Sequence, residues 1–290
     1  MRLGALEAGG TKMVCAVGNE HGEIWEQTVI PTETPEKTIP EIIHFFSGKS
    51  LDALGVGCFG PIELDRSNRK YGYITSTPKA AWRDYPMVHT LMKELHCPVG
   101  FDTDVNSSVL GESVYGQAKG RKNVVYLTIG TGVGAGILVE GQLLHGMLHP
   151  EAGHIPMRVH EKDHFAGICS YHGTCLEGMA SGPAIEARWG RKAVELKDQK
   201  EVWELEAYYI AQALCNYILI LSPEMIILGG GVMHQEQLFP LIRQQVLTML
   251  NGYLKTEELE HLTDYIVPAS LADKQGILGC LELAKKELAI

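Results

Sequence analysis

Short apolar runs rich in Val, Ile and Ala alternate with stretches of helical periodicity along the whole chain. The predicted strands cover residues 2–8, 12–18, 23–30, 51–59, 98–103, 123–130, 134–140, 142–146 and 225–231. The predicted helices cover residues 36–47, 86–96, 177–189, 201–221, 235–250 and 276–287, and a further helix starts near residue 105. Apolar strands that alternate with helices in this way are typical of an α/β protein.

The pattern of the first strands starts again in the middle of the chain. Residues 5–24 and 126–144 share one layout: an apolar strand, a turn containing Gly and Thr, a second strand, a tight turn and a third strand. No short repeat is present, so a solenoid is not expected. We expect two lobes, residues 1–117 and residues 118–275, with the C-terminal helix at 276–290 completing the first lobe.

Composition narrows the function classes. The 290 residues carry a formal net charge of −10 and are 45% hydrophobic and 21% charged, which is ordinary for a globular enzyme. The chain lacks the basic stripes that bind nucleic acid, and no stretch approaches the roughly 20 apolar residues of a membrane span. Seven cysteines, an odd number, indicate reduced thiols with one metal site. We therefore expect a cytoplasmic protein without nucleic-acid or membrane partners.

Two turns, one in each copy of the repeated layout, are candidates for phosphate binding. In the first, Gly9 and Gly10 allow a tight turn whose N–H groups face an anion, and Thr11 and Lys12 add a hydroxyl and a charge. A plain hairpin is the alternative, and the P-loop pattern is absent. The second turn, residues 130–136, superficially resembles Gly-x-Gly-x-x-Gly, with Ala135 at the last position. A strand rather than a helix follows, so a dinucleotide fold is not predicted. Two such turns suit a nucleoside triphosphate held between lobes.

A third glycine-rich segment, residues 229–232, ends a buried strand and precedes a predicted helix. Glycines at this position let a ring or ribose approach the backbone, and a helix N-terminus favours phosphate. An ordinary strand-to-helix turn is an equal alternative.

Asp104 lies where a predicted strand ends and a helix begins, within Asp-Thr-Asp-Val-Asn. A helix N-cap is the common role of an aspartate at such a position. The carboxyl ends of strands are also where α/β proteins bind ligands. A carboxylate there can accept the proton of a substrate hydroxyl that attacks a phosphoryl group, so Asp104 is the candidate base.

The segment from residue 149 to residue 177 is rich in His and Cys. Two imidazoles and two thiols form the ligand set that tetrahedral structural zinc prefers, and the candidates are His154, Cys169, His172 and Cys175. The competing candidates are His149, His160 and His164, and a loop without metal is the alternative. If a metal fixes this loop, Glu151, His154 and Glu177 could converge on one ligand rich in hydroxyls, such as a sugar.

Together these segments, in this order and over nearly the whole chain, resemble the ROK family of repressors and sugar kinases, and most closely its bacterial fructokinases. The resemblance implies an actin-like and hexokinase-like fold: two lobes, each with a mixed sheet of the ribonuclease H type, around a cleft for ATP and sugar. It also implies Mg²⁺ with the ATP, a structural Zn²⁺, and a homodimer. Asp104 matches the catalytic base of the family.

The resemblance further implies which residues contact each ligand. Sugar contacts are implied for Gly60, Pro61, Thr103, Asn106, Glu151, His154 and Glu177. Nucleotide contacts are implied for Gly9, Gly10, Thr11, Lys12, Gly130, Thr131, Gly132, Pro183, Gly230, Gly231, Val232, Met233, His234 and Gln235. Two positions depart from the family pattern. Glu7 stands where the family usually has Asp, and His172 stands where a third metal-binding Cys is usual.

We hypothesise that the chain transfers the γ-phosphoryl group of ATP to the 6-hydroxyl of a hexose, and the resemblance implies D-fructose. Kinases for glucose, mannose or N-acetylated amino sugars would use the same catalytic set. A DNA-binding repressor of the family needs a helix-turn-helix ahead of the first strand, but Met1 begins that strand, so this alternative is disfavoured. A sugar-binding protein without catalysis is the last alternative, and only Glu7 points to it.

Overall fold

The computed structural model of the protein describes residues 1–289. The chain forms two compact units. The first contains residues 1–120, residues 144–149 and the chain from Ser270 onward, and the second contains residues 121–143 and 150–269. The domain boundary predicted after residue 117 stays a prediction, while the short segment 144–149 groups with the first unit.

The sheet of the first unit has five strands in the order β3-β2-β1-β4-β5. The first three strands pair antiparallel as two hairpins, and the last two continue the sheet in parallel. The strands are β1 (Leu3–Ala8), β2 (Lys12–Gly18), β3 (Ile24–Pro31), β4 (Ala53–Cys58) and β5 (Val99–Thr103). The helices of this unit are α1 (Pro35–Phe46), α2 (Met87–Leu95), α3 (Asp104–Val114) and α10 (Gln275–Glu287). Every residue of β4 is buried, as expected of a strand that is covered on both faces.

Glycines allow α10 to pack unusually close to β4 and α3. A Cβ atom on Gly55 of β4 would lie 1.8 Å from the carbonyl oxygen of Cys280. A Cβ atom on Gly279 would lie 1.6 Å from the carbonyl oxygen of Ser107. Neither glycine can carry a side chain without movement of the backbone. This close packing fixes α3, which begins at Asp104, against the sheet.

The sheet of the second unit repeats the order of the first. Read from its hairpin edge, the order is β8-β7-β6-β9-β10, with two antiparallel pairs followed by two parallel pairs. The strands are β6 (Val124–Ile129), β7 (Val133–Val139), β8 (Gln142–Leu143), β9 (Met225–Gly229) and β10 (Ile266–Pro268). The repeated layout in the sequence thus corresponds to two sheets of the same topology.

The helices of the second unit differ from the sequence prediction in three places, one of which is a pair of short helices at residues 257–265 that was not predicted. The helices of this unit are α4 (Leu176–Ala180), α5 (Gly182–Trp189), α6 (Lys200–Leu221), α7 (Leu238–Leu250), α8 (Glu257–Glu260) and α9 (Leu262–Tyr265). The single helix predicted at 177–189 is interrupted at Ser181, whose extended backbone and hydroxyl cap α5 at the N–H of Ala184. The helix predicted from residue 235 begins at Leu238, because residues 231–234 form a 3₁₀ turn.

The other predicted strands and helices are present within a few residues of their predicted bounds. The exception is the strand predicted at 142–146, which ends at Leu143 because the next six residues group with the first unit. Within residues 1–289, no helix is both long and apolar enough to cross a bilayer.

Glu206 of α6 is a buried carboxyl group. It is 1% exposed, and neither carboxylate oxygen has a hydrogen-bond partner among the described residues. Burial raises its pKa well above the ordinary value, and the charge of Arg188 opposes this only in part. Because the folded protein holds this carboxyl group in its protonated form, the fold is most stable at pH values below the pKa that Glu206 has in the unfolded chain. The free energy of unfolding then falls as pH rises from that value towards the higher pKa of the folded state.

We therefore expect Glu206→Gln to gain stability relative to the unchanged protein as pH rises from 5 to 8. The gain should grow by up to about 1.4 kcal/mol per pH unit until the folded pKa is reached. Urea unfolding at several pH values measures it. The control is Glu204→Gln, which removes an exposed carboxyl of the same helix that pairs with Lys200. Parallel pH profiles for Glu206→Gln and the unchanged protein would contradict this expectation.

Candidate active site

The first glycine turn joins β1 to β2 in the first unit. The N–H of Gly9 donates to the carbonyl oxygen of Lys12 (3.1 Å), and a Cβ atom on Gly9 would lie 2.7 Å from that oxygen. Thr11 and Lys12 are exposed on the turn. Lys79, which sequence reasoning missed, lies over it, since a Cβ atom on Gly10 would lie 3.1 Å from Cε of Lys79. The turn therefore presents hydroxyl and ammonium groups suited to an anion.

Asp104 is the first residue of α3, and it is not the N-cap. Thr103 takes that role, because its hydroxyl accepts from the N–H of Asn106 (3.1 Å). The capping alternative for Asp104 is therefore wrong. Burial raises the pKa of the Asp104 carboxyl to about 6, while hydrogen bonds from the N–H groups of Val105 and of Asp104 itself act in the opposite direction. A carboxylate with this pKa can accept a proton near neutral pH.

Glu7 lies near the end of β1, close enough to Asp104 for their charges to interact. Burial first, and then the charge of Asp104, raise the pKa of Glu7 to about 7, while the charge of Lys12 acts in the opposite direction. The carboxyl group of Glu7 packs on α10, because a Cβ atom on Gly276 would lie 2.5 Å from its Cδ. The two carboxyl groups thus share an environment that favours their protonated forms.

A second carboxylate, Asp102, precedes Asp104 by two residues and is 3% exposed. One of its oxygens accepts from Nδ2 of Asn106 (2.7 Å), and the other lies 2.9 Å from Nε2 of His145. Neither Asp102 nor His145 was among the predicted site residues. Asn106 was among the predicted site residues, and side-chain contacts hold it on the first turn of α3.

The Gly60–Pro61 peptide bond is cis and follows β4. The N–H of the next residue, Ile62, donates to Nε2 of the buried His149 (3.1 Å). His149 therefore anchors this predicted sugar-binding segment and does not belong to the metal-binding group.

The second glycine turn joins β6 to β7 in the second unit. The strand that follows it bears out the prediction that this is not a dinucleotide-binding turn. The carbonyl oxygen of Gly130 accepts from the N–H of Gly182 at the start of α5 (2.8 Å), so Pro183 lies in the first turn of a helix beside the glycine turn. Thr131 is exposed. Gly132 packs against Glu177, since a Cβ atom there would lie 2.8 Å from the carboxylate.

The third glycine segment lies beside the second turn. Gly230 has φ +88°, and a Cβ atom on it would lie 2.5 Å from the carbonyl oxygen of Ile129. In the 3₁₀ turn that follows, Val232 and Met233 are buried, which leaves their backbone rather than their side chains for a ligand. The exposed or half-buried predicted contacts of this segment are Gly230, Gly231, His234 and Gln235.

Four side chains of the second unit form a group that can hold a metal ion. The ligand atoms of His154, Cys169, His172 and Cys175 all lie within 4.8 Å of one another. The Nδ1 atom of His154 is 3.8 Å from Sγ of Cys169 and 3.6 Å from Sγ of Cys175, and Nδ1 of His172 is 3.6 Å from Sγ of Cys169. Tetrahedral zinc with ordinary bond lengths separates nitrogen and sulfur ligands by about 3.5 Å. The donor set and spacing therefore fit Zn²⁺, and four protein ligands describe a structural site.

The competing histidines lie outside this group. His160 accepts from the N–H of Lys162 (3.2 Å) and packs edge-on against Tyr208. Among residues 1–289, the metal-binding group includes neither His160 nor His164.

The segment that carries the four metal-binding side chains, residues 150–177 including the start of α4, is called the metal-binding loop and is packed against the start of β7. Oε2 of Glu177 accepts from the N–H of Val133 (3.1 Å), and a Cβ atom on Gly153 would lie 1.8 Å from the carbonyl oxygen of Val133. Glu151 is exposed, and its carbonyl oxygen accepts from the N–H of His154 (3.0 Å). The loop thus holds one predicted sugar contact, Glu177, directly against the second glycine turn.

The family model described as the ROK family matches residues 3–287. The chain belongs to the ROK family. The fructokinase of Pediococcus pentosaceus is 45% identical to this ROK protein over 288 residues, which cover 99% of the chain and 99% of that relative. The fructokinase of Streptococcus mutans is 43% identical over 289 residues and covers 98% of the chain and 97% of the relative.

The solved structure of a ROK hexokinase from Thermus thermophilus superposes with a TM-score of 0.80 at 25% identity, covering 100% of the chain and 99% of that structure. The predicted fold class, with two mixed sheets of the actin and hexokinase type, is confirmed.

Proposed function

We propose that this ROK protein is an ATP-dependent fructokinase that phosphorylates the 6-hydroxyl of D-fructose. The half-buried carboxyl group of Asp104, at the first residue of α3 and with a pKa raised to about 6, carries the proposal. General bases work best when their pKa lies near the working pH. The choice of fructose rests on the identity to named fructokinases over nearly the full length of both chains.

The reaction needs one general base and a set of protein groups that bind the phosphates of ATP. The O6 oxygen forms a bond to the γ-phosphorus while the bond from that phosphorus to the β–γ bridging oxygen breaks. The proton of O6 passes to Asp104, and ADP leaves. The turns at Gly9–Lys12 and Gly130–Gly132 orient the phosphates through N–H groups, with the hydroxyls of Thr11 and Thr131 and the charge of Lys12.

Two metal ions are proposed from the side chains available to bind them. Glu7 is the carboxylate that would hold Mg²⁺, directly or through water, and the ion would neutralise charge on the β- and γ-phosphoryl oxygens. His154, Cys169, His172 and Cys175 would hold one structural Zn²⁺. The residues proposed to contact the nucleoside end of ATP are Pro183, Gly230, Gly231, Val232, Met233, His234 and Gln235.

Sugar binding is proposed for the following polar groups. Asn106 and Thr103 flank Asp104, while Glu151, His154 and Glu177 belong to the metal-binding loop. The remaining proposed contacts are the backbone groups of Gly60 and Pro61. Carboxylates, an amide and an imidazole suit the several hydroxyls of a hexose, each as a donor or acceptor of one hydrogen bond.

Initial rates with Mg-ATP and a panel of fructose, glucose, mannose, N-acetylglucosamine and N-acetylmannosamine test the proposal. We expect the highest kcat/KM for fructose. A higher value for another sugar would move the assignment to the corresponding kinase, and ATP-dependent product with none of them would refute a sugar kinase.

The raised pKa of Asp104 predicts a pH dependence. Because the base must be unprotonated to accept the proton, kcat/KM for fructose should be lost as pH falls through about 6. Rates measured from pH 5 to pH 8.5 would show this loss of kcat/KM on the acid side. The residual rate of Asp104→Asn should lack it, and a flat profile for the unchanged protein would contradict the role of Asp104.

A homodimer is also proposed. Most apolar residues of α6 and α7 are core, but Leu219, Ile220 and Leu247 are 54%, 78% and 47% exposed at the C-terminal ends of these helices. Exposed apolar groups of this kind favour an interface between copies. Sedimentation equilibrium of the unchanged protein and of Ile220→Glu tests it, and a monomer at all concentrations would contradict it.

A further inference from the structure

The segment Leu144–His149 groups with the first unit, although the chain on either side of it belongs to the second. Two imidazoles anchor it there. His149 accepts from the N–H of Ile62, and His145 lies 2.9 Å from the carboxylate of Asp102. Neither contact is local, because Asp102 and His145 are 43 positions apart and Ile62 and His149 are 87 positions apart along the sequence.

The contact with His145 completes the hydrogen bonding of a buried carboxylate. Oδ1 of Asp102 accepts from the N–H of Thr103 (2.8 Å) and from Nδ2 of Asn106 (2.7 Å). Oδ2 faces Nε2 of His145. The hydrogen bond to Asp102 raises the pKa of His145, which favours a donating imidazole. Asp102 is therefore held by Thr103 and Asn106, which lie on either side of Asp104 in the sequence, and by the imidazole of His145.

Loss of the imidazole would affect the first turn of α3. A carboxylate that is 3% exposed and loses a partner must rotate or recruit water. Rotation would release Asn106, whose N–H is capped by Thr103. Asp104 lies between these two residues, so its carboxylate would move relative to the substrate hydroxyl. Displacements of about 1 Å remote from the reacting atoms can lower rates about 100-fold.

We propose that His145 is a positioning residue for the reaction, which fixes the first turn of α3, and with it Asp104, through the carboxylate of Asp102. This inference rests on the proposed kinase function. It assigns to His145 an effect mainly on turnover, although Asn106 is also a proposed sugar contact. The side chain is 41% exposed and lines a cavity of about 410 Å³, so its truncation leaves no void in the core.

The test compares His145→Ala, His145→Gln and the control His21→Ala, which removes an imidazole that is 81% exposed on the same unit. We expect His145→Ala to lower kcat about 10- to 100-fold, with KM for ATP changed by less than about threefold. Any rise in KM for fructose, through the proposed sugar contact Asn106, should be smaller than the fall in kcat. Because the amide of Gln can donate to Asp102, His145→Gln should recover most of the rate. An unchanged kcat in His145→Ala, or a loss confined to KM, would overturn the proposal.

A double-mutant cycle tests whether His145 acts through Asp102. Asp102→Asn keeps the shape of the side chain but removes its charge. In the Asp102→Asn background, His145→Ala should lower kcat by less than about twofold, because the effects of residues acting through one another are not additive. If the two substitutions lower kcat independently, so that their fold-changes multiply in the double variant, the proposal is overturned. If the unchanged protein phosphorylates no sugar, the proposed function fails; if it does and these variants behave as the control, only the role of His145 fails.

Discussion

Asp104→Asn is expected to lower kcat for fructose phosphorylation by about 10²- to 10⁴-fold, with little change in KM for fructose. Asparagine has nearly the same shape as aspartate, and its carbonyl oxygen can still accept from the N–H of Val105, as Oδ1 of Asp104 does (2.9 Å). The amide cannot take the proton of the substrate hydroxyl near neutral pH. Turnover should therefore fall while the site and the helix start keep their structure.

A coupled assay for ADP gives kcat, and calorimetry with fructose gives the binding constant independently of turnover. The matched control is Asp84→Asn, which changes a carboxyl of the first unit that is 64% exposed and pairs with Lys70. Its kinetics should match those of the unchanged protein. Turnover of Asp104→Asn within a few-fold of that control would show that another group is the base.

Purified protein is expected to contain about one equivalent of zinc per chain, and the metal-binding loop is expected to lose its structure without it. Structural zinc contributes on the order of 10 kcal/mol or more in small domains, shared among four ligands. Loss of one ligand should therefore weaken zinc affinity on the order of 100-fold or more. Because Glu177 of this loop accepts from the N–H of Val133 beside the second glycine turn, loss of the metal should also lower the activity.

His172→Ala is the variant of choice, because His172 is exposed whereas Cys175 is buried and also accepts from the N–H of Gly178. His164→Ala is the control, since it removes an exposed histidine of the same loop that lies outside the metal-binding group. Metal analysis and limited proteolysis between residues 155 and 175 provide the readouts. Full zinc in His172→Ala, or none in an active preparation of the unchanged protein, would contradict the site.

Much of the fold was predictable because its signals are local. The strands and turns that repeat between residues 5–24 and 126–144 predicted two hairpins, and these became two sheets of the same order. The ligand set at Cys169, His172 and Cys175 was also local, because the three residues are three positions apart in a single loop. When all residues of a motif lie within a short segment, their spacing along the chain largely fixes their spacing in the structure, so the sequence alone predicts them.

The features that sequence reasoning missed depend on contacts between distant residues. His145 meets Asp102 only because the chain returns to the first unit for six residues after β8. Lys79 reaches the turn at Gly10 from the long connection between β4 and α2. The interruption at Ser181 depends on one residue that adopts an extended backbone within an otherwise helical pattern. The three-residue strand β10 is too short for a periodic signal.

The raised pKa of Glu7 likewise depends on its surroundings rather than on its own segment. The sequence showed only a glutamate where the family usually has aspartate. Burial against α10 and the charge of Asp104 raise its pKa, and both come from parts of the chain far from β1. The role of Glu7 with Mg²⁺ is therefore a proposal that the structure motivates and the resemblance alone does not.

The most direct test of the central claim is phosphorus and carbon NMR of the product formed from D-fructose and Mg-ATP. We expect stoichiometric ADP and a single new phosphomonoester coupled to C6 of the sugar. Phosphorylation at another carbon, or consumption of ATP that yields only inorganic phosphate in the presence of fructose, would contradict it.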